Sequence, residues 1–210
     1  MIRLCIFDMG GVVIRNHNVT PQLMAWLGRQ ENSFAEIGSR LADAIHRHGR
    51  GEISEKEIWD LYTLCTGERP PDSQHSRFGK FFAPRLHDPT LRILKRLKSA
   101  GMRIICGTNV IDSHYKIHLR NGDYAVFDKV YPSHLMGVSK PDPEFYRRIL
   151  ENEQVQPGEA FFTDDLKENV EAASLIGVHA VLYRSAEDLL QQLVSLKILD
   201  ERNTKTASGE

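Results

Sequence analysis

Short apolar runs punctuate the chain, and three of them stop abruptly at polar residues. Leu4-Cys5-Ile6-Phe7 ends at Asp8, and Arg103-Ile104-Ile105-Cys106 ends at Gly107-Thr108-Asn109. Ala160-Phe161-Phe162-Thr163 ends at Asp164-Asp165, and His179-Ala180-Val181-Leu182-Tyr183 is a fourth run. Near-continuous apolar runs, rather than alternating ones, predict strands covered on both faces. Helical patterns lie between them. Asp88-Pro89 starts one that passes Leu91, Leu94 and Leu97 to Gly101; Asp142-Pro143 starts another through Phe145, Tyr146 and Ile149. A third follows Asp165 and ends at Gly177. Strands alternating with helices predict an α/β protein with a doubly wound, Rossmann-like parallel sheet.

Residues 16–86 break this rhythm. They contain no buried-strand pattern, while Phe34, Ile37, Leu41 and Ile45 recur at three- and four-residue steps. Ser54 with Glu57 reads as a capping box ahead of Ile58, Trp59 and Leu61. The stretch predicts a small helical insertion, with Trp26 and Trp59 in its core. The expected division is a core of residues 1–15 plus 87–200, a helical cap of 16–86, and a frayed polar tail of 201–210.

Composition narrows the function classes. Of the 210 residues, 41% are hydrophobic and 26% charged, an ordinary globular balance, and the net charge is -1. Mixed charge of that kind supplies no basic footprint for nucleic acid or an anionic membrane. No apolar run reaches the length of a membrane span, and the first strand follows Met1 with no signal-peptide pattern. Cys5, Cys65 and Cys106 are odd in number and widely spaced, which fits a reduced, cytoplasmic protein better than a disulfide framework.

In a doubly wound sheet, ligands bind beyond the carboxyl ends of the strands. There the pattern gathers Asp8, Thr108, Asn109, Asp164 and Asp165, joined by Lys140 from the Ser139-Lys140-Pro141-Asp142-Pro143 loop. Three carboxylates in one cleft repel one another unless a cation holds them. An all-oxygen set favours a hard ion, Mg2+. A cation and Lys140 would offset the repulsion between Asp8 and a phosphate dianion, and Thr108 can donate to a phosphate oxygen. Attack by Asp8 would form an aspartyl-phosphate that water then hydrolyses.

Phe7-Asp8-Met9-Gly10-Gly11-Val12, Gly107-Thr108-Asn109, Ser139-Lys140-Pro141-Asp142 and Thr163-Asp164-Asp165-Leu166-Lys167-Glu168-Asn169 follow in order. Together they resemble the four motifs of the haloacid dehalogenase-like superfamily, over the chain to about Leu199. Within it the chain looks closest to bacterial α-D-glucose-1-phosphate phosphatases, which share the Asp-x-Gly form of the first motif. A cap stretch like His46-Arg47-His48-Gly49-Arg50-Gly51-Glu52-Ile53-Ser54 is the other shared feature. The resemblance implies Asp8 as nucleophile and metal ligand, Thr108 and Lys140 as phosphate ligands, and Asn109 as an orienting residue. It implies Asp165 as the main metal carboxylate, Asp164 as a second one, and Gly10 as a ligand through its backbone carbonyl. The implied function is a magnesium-dependent phosphomonoester hydrolase acting, as a monomer or weak homodimer, on a small phosphorylated metabolite such as glucose 1-phosphate.

One position departs from the superfamily. Most of its phosphatases carry an aspartate general acid where this chain has Gly10, a loss that costs about 10²–10⁴ in rate. Two alternatives follow: a 2-haloacid dehalogenase-type hydrolase, for which the Asp164-Asp165 pair has no use, and a catalytically weak phosphate-binding protein. His46, His48 and Arg50 are candidate substrate readers or a solvated face, and His114 with His118 is read as structural.

Overall fold

The computed structural model describes residues 1–73 and 76–200; the frayed tail expected for 201–210 lies outside them. In chain order the elements begin with β1 (Leu4–Phe7), β2 (Ile14–Arg15), α1 (Thr20–Trp26), α2 (Phe34–Ile37), α3 (Ser39–Gly49) and α4 (Glu55–Thr66). Then come β3 (Arg85–Leu86), α5 (Asp88–Ser99), β4 (Arg103–Thr108), α6 (Asp112–Asn121), β5 (Lys129–Pro132) and α7 (Ser133–Met136). The chain continues through α8 (Pro143–Glu153), β6 (Ala160–Asp164), α9 (Lys167–Leu175), β7 (His179–Leu182) and α10 (Ala186–Ser195).

The main sheet is parallel, in the order β5-β4-β1-β6-β7, so β1 lies at its centre. Side chains alternate across it. Cys5, Phe7, Ile104, Cys106 and Phe161 face one cluster with Ile93, Leu94 and Leu97 of α5 and Leu189 and Leu193 of α10. Leu4, Ile6, Ile105 and Phe162 face the other, with Phe145, Tyr146 and Ile149 of α8 and Ala172 and Ala173 of α9. Burial on both faces explains the unbroken apolar runs of β1, β4 and β6. The run at His179–Tyr183 is different: β7 is an edge strand whose residues are exposed or half-buried.

Two strand features escape the sequence reading. β5 completes the other edge of the sheet, and the two-residue strands β2 and β3 pair antiparallel. β2 and β3 bracket the helical stretch; Ile14 pairs with Leu86 and Arg15 with Arg85.

Helices α1 to α4 enclose a core of their own, with Leu23, Phe34, Leu41, Ile58, Trp59, Tyr62 and Phe78 buried. The stripe from Phe34 to Ile45 is not one helix: the chain breaks at Gly38 into α2 and α3. The capping box expected at Ser54 is present, Glu57 accepting from the Ser54 N–H at 2.7 Å. This helical body rests on the sheet domain through the Ser133 hydroxyl, which donates to the Gly49 carbonyl at 2.6 Å, and through His114 at the Phe78 carbonyl. At Gly51 (φ +72°) an added Cβ would lie 2.2 Å from the His134 carbonyl oxygen, so only glycine allows this approach. Among the described residues no helix is long and apolar enough to cross a membrane.

Candidate active site

The parallel sheet delivers its chemistry to one edge. Asp8 follows the last residue of β1, and its backbone N–H donates to the Thr163 carbonyl at 3.0 Å, prolonging the pairing with β6. Asp164 is the last residue of β6, with Asp165 next, and Thr108 is the last residue of β4. Lys140 arrives from the loop ahead of α8, joined to Pro141 by a cis peptide bond. Asp142 caps α8, accepting from the Glu144 N–H at 2.8 Å.

Lys140 is the hub. Its Nζ donates to Asp8 Oδ1 and to Asp164 Oδ2, both at 2.6 Å, and it is 4% exposed, against 7% for Asp8 and 0% for Asp164. Its backbone is fixed from the other side. Asn109 accepts from the Lys140 N–H at 2.9 Å and donates to the Lys140 carbonyl at 2.8 Å. Thr108 and Asn109 do not cap the next helix, for α6 begins later, after Ile111. Thr108 is buried, and among the described residues no hydrogen bond links it to the carboxylates. Asp164 also serves as a turn former, accepting from the Leu166 N–H at 2.9 Å and from the Asn169 amide at 3.0 Å.

One carboxylate oxygen from each of Asp8, Asp164 and Asp165 lies within 4.8 Å of the others. Three acids therefore face a single ammonium. Burial, opposed by Lys140 and reinforced by Asp164, pushes the Asp8 carboxyl up to about 7. Burial, then Asp164, also raises Asp165. Burial pulls Lys140 down, but Asp8 and Asp164 outweigh it and hold the ammonium above its ordinary value. Residual negative charge on an all-oxygen donor set fits a hard divalent cation.

The turn after Asp8 is held tightly. The Val13 and Ile14 N–H groups donate to the Met9 carbonyl at 3.0 and 2.9 Å, and the Arg15 guanidinium donates to the carbonyls of Gly11, Val12 and Ile14. Gly11 has φ +71°, and a Cβ there would lie 2.0 Å from Asp165 Oδ2, so its lack of a side chain lets the first and fourth motifs meet. Sequence reasoning missed His17. It lies over Gly10, and no periodicity or strand end marks it.

A cavity of about 900 Å³ beside this edge is lined by Lys140 and Asn109 and by His17, His46, His48 and Arg50, while Asp8, Asp164 and Asp165 are not among its lining residues. The cap stretch thus faces this cavity. His48 is buried, its Nδ1–H donating to the Ile53 carbonyl at 2.9 Å, and Arg50 is paired with Glu52 at 2.5 Å. His114 and His118 are each bonded within the fold. His114 donates to the Phe78 carbonyl at 3.0 Å, and His118 bonds Asp123 at 2.7 Å. Cys5 and Cys106 are buried core residues whose thiols burial pushes up, Cys5 to about 12.

Comparison with known proteins places this geometry in a family. A family model described as haloacid dehalogenase-like hydrolase matches residues 2–177. Drimenol cyclase drtB of Aspergillus calidoustus is 26% identical over 93% of this chain, which spans only 37% of that protein's length. D-ribitol-5-phosphate phosphatase of Bacteroides thetaiotaomicron is 26% identical, covering 92% of this chain and 97% of its own. A crystal structure of a HAD family enzyme from Bacteroides thetaiotaomicron, in complex with magnesium and inorganic phosphate, superposes with a TM-score of 0.67. It covers 91% of this chain and 99% of that one at 24% identity, a likeness of fold.

Proposed function

The chain belongs to the haloacid dehalogenase-like hydrolases, and from that premise we propose that it is a magnesium-dependent phosphomonoester hydrolase with Asp8 as nucleophile. The observation that carries the reading is the buried Lys140 ammonium set between Asp8 and Asp164, with the Asp165 carboxylate beside them. A carboxylate can approach a dianionic phosphoryl group only where cationic charge offsets the repulsion, which Lys140 and a divalent cation held by the acids would supply together.

In this reading Lys140 and Thr108 hold the phosphoryl oxygens, and Asn109 fixes the Lys140 backbone so that its Nζ cannot drift. Asp8, Asp164, Asp165 and the Gly10 carbonyl would hold Mg2+, which would supply charge neutralisation. An Asp8 oxygen bonds phosphorus as the ester oxygen departs with its electron pair, and water then cleaves the aspartyl-phosphate. The dehalogenase alternative gives Asp165 no task, since displacement of halide at carbon needs no cation.

Gly10 brings no acid to the departing oxygen, so esters with acidic leaving groups are favoured. The anomeric oxygen of a sugar is less basic than a primary alkoxide, which makes a hexose 1-phosphate the proposed substrate class. Phosphate release from glucose 1-phosphate and glucose 6-phosphate tests this. We expect kcat/KM to be higher for the 1-phosphate, and activity on both to vanish in EDTA and return with Mg2+. Metal-independent turnover would refute the mechanism, and a preference for the 6-phosphate would refute the substrate class.

A further inference from the structure

Gly10 carries no side chain, yet the space beside it is filled. A Cβ built on Gly10 would lie 3.1 Å from Cδ2 and 3.5 Å from Nε2 of His17. The edge of the imidazole therefore occupies the space that a side chain at position 10 would enter. Asn16, the residue before His17, has a left-handed backbone (φ 58°), a conformation that asparagine tolerates better than most residues.

The orientation of the ring is fixed as well. His17 Nδ1 accepts from the Gly11 N–H at 3.2 Å. A nitrogen that accepts from an amide carries no proton, so in the neutral ring the proton resides on Nε2. Among the described residues no other group hydrogen-bonds the ring, and His17 is exposed and lines the same cavity as Lys140 and Asn109.

We propose that His17 is the hydrogen-bond donor to the ester oxygen of the substrate, in place of the side chain that Gly10 lacks. The assignment rests on the phosphatase reading and adds a residue to it. As an Asp8 oxygen bonds phosphorus, the bond from phosphorus to the ester oxygen breaks and its electron pair stays on the departing oxygen. Nε2–H stabilises that pair without being transferred, because the Gly11 bond keeps Nδ1 unprotonated. A water supplies the proton that completes the alcohol. The hydroxide left behind takes up the proton released when a second water cleaves the aspartyl-phosphate.

The donor counts most when the leaving group is poor, and this sets the test. Substituted phenyl phosphates of similar size, from p-nitrophenyl to p-methoxyphenyl, vary leaving-group acidity with little change in shape. In the Mg2+-loaded protein, His17→Phe is expected to lower kcat/KM for the p-methoxyphenyl ester about tenfold more than for the p-nitrophenyl ester. His17→Gln keeps an N–H donor and should restore most of that difference. Equal losses along the series would overturn the assignment, because the ring would then only shape the site; so would no loss at all. Those outcomes leave the phosphatase reading standing. Wild-type protein inactive on every ester with Mg2+ would overturn that reading and the His17 role with it.

Discussion

At the scale of single residues, the site rests on an unequal count of charge. Asp8, Asp164 and Asp165 crowd one ammonium, and Asp8 absorbs the imbalance as a carboxyl pushed up to about 7. A carboxyl raised above its unfolded value of 3.8 takes stability away as pH rises from there through about 7. Asp8→Asn removes that penalty while its amide oxygen can still accept from Lys140. Without divalent cation, the variant should be more stable than the wild type at neutral pH by on the order of 2 kcal/mol, a Tm rise of several degrees. Turnover should be lost. Thermal melts alongside a phosphate-release assay check both halves; a lower Tm would mean that the Asp8–Lys140 pair outweighs the repulsion. Asp8, Asp164 and Thr108 were legible because each ends an apolar run at the same edge of a parallel sheet. His17 was not, because it follows a left-handed residue, Asn16, that no hydrophobic pattern announces.

At the scale of elements, histidines hold α6 and its neighbours together in their neutral form. The His114 ring stacks on Phe82 at 3.8 Å and donates to the Phe78 carbonyl; burial pushes it down to about 4. Burial also lowers His118 and His134. A group whose folded value lies below its unfolded 6.5 costs stability as pH falls through that window, since the unfolded chain takes up the proton first. The His114 contribution, about 2 kcal/mol after allowance for its partial exposure, should therefore be lost between pH 6.5 and 4, against the gain that Asp8 brings over the same range. Urea midpoints of wild type and His114→Gln across that range measure the share; parallel curves would contradict it. Element legibility followed burial. Strands buried on both faces were plain, but β5 offers only Val130 and Tyr131 between a lysine and a proline, and β2 and β3 are too short to show a period. Gly38 divides a stripe that reads as continuous, because three- and four-residue spacing persists across a break.

At the scale of the whole molecule, a parallel sheet presents fixed charge at one edge and a helical body closes over it, with β2 and β3 bracketing the excursion. The α/β class and the site's place on the sheet followed from the alternation of strands and helices. How the helical body seats could not follow from it, because that depends on approaches such as Gly51 to the His134 carbonyl. Transfer of the phosphoryl group to Asp8 leaves a mark that can be weighed. The protein is quenched in acid during turnover of p-nitrophenyl phosphate with Mg2+, and its peptides are weighed. One phosphoryl group is expected on the peptide that carries Asp8, absent when the substrate is omitted. Steady turnover with that peptide unmodified at every quench time, or with the phosphoryl group on another residue, would contradict it.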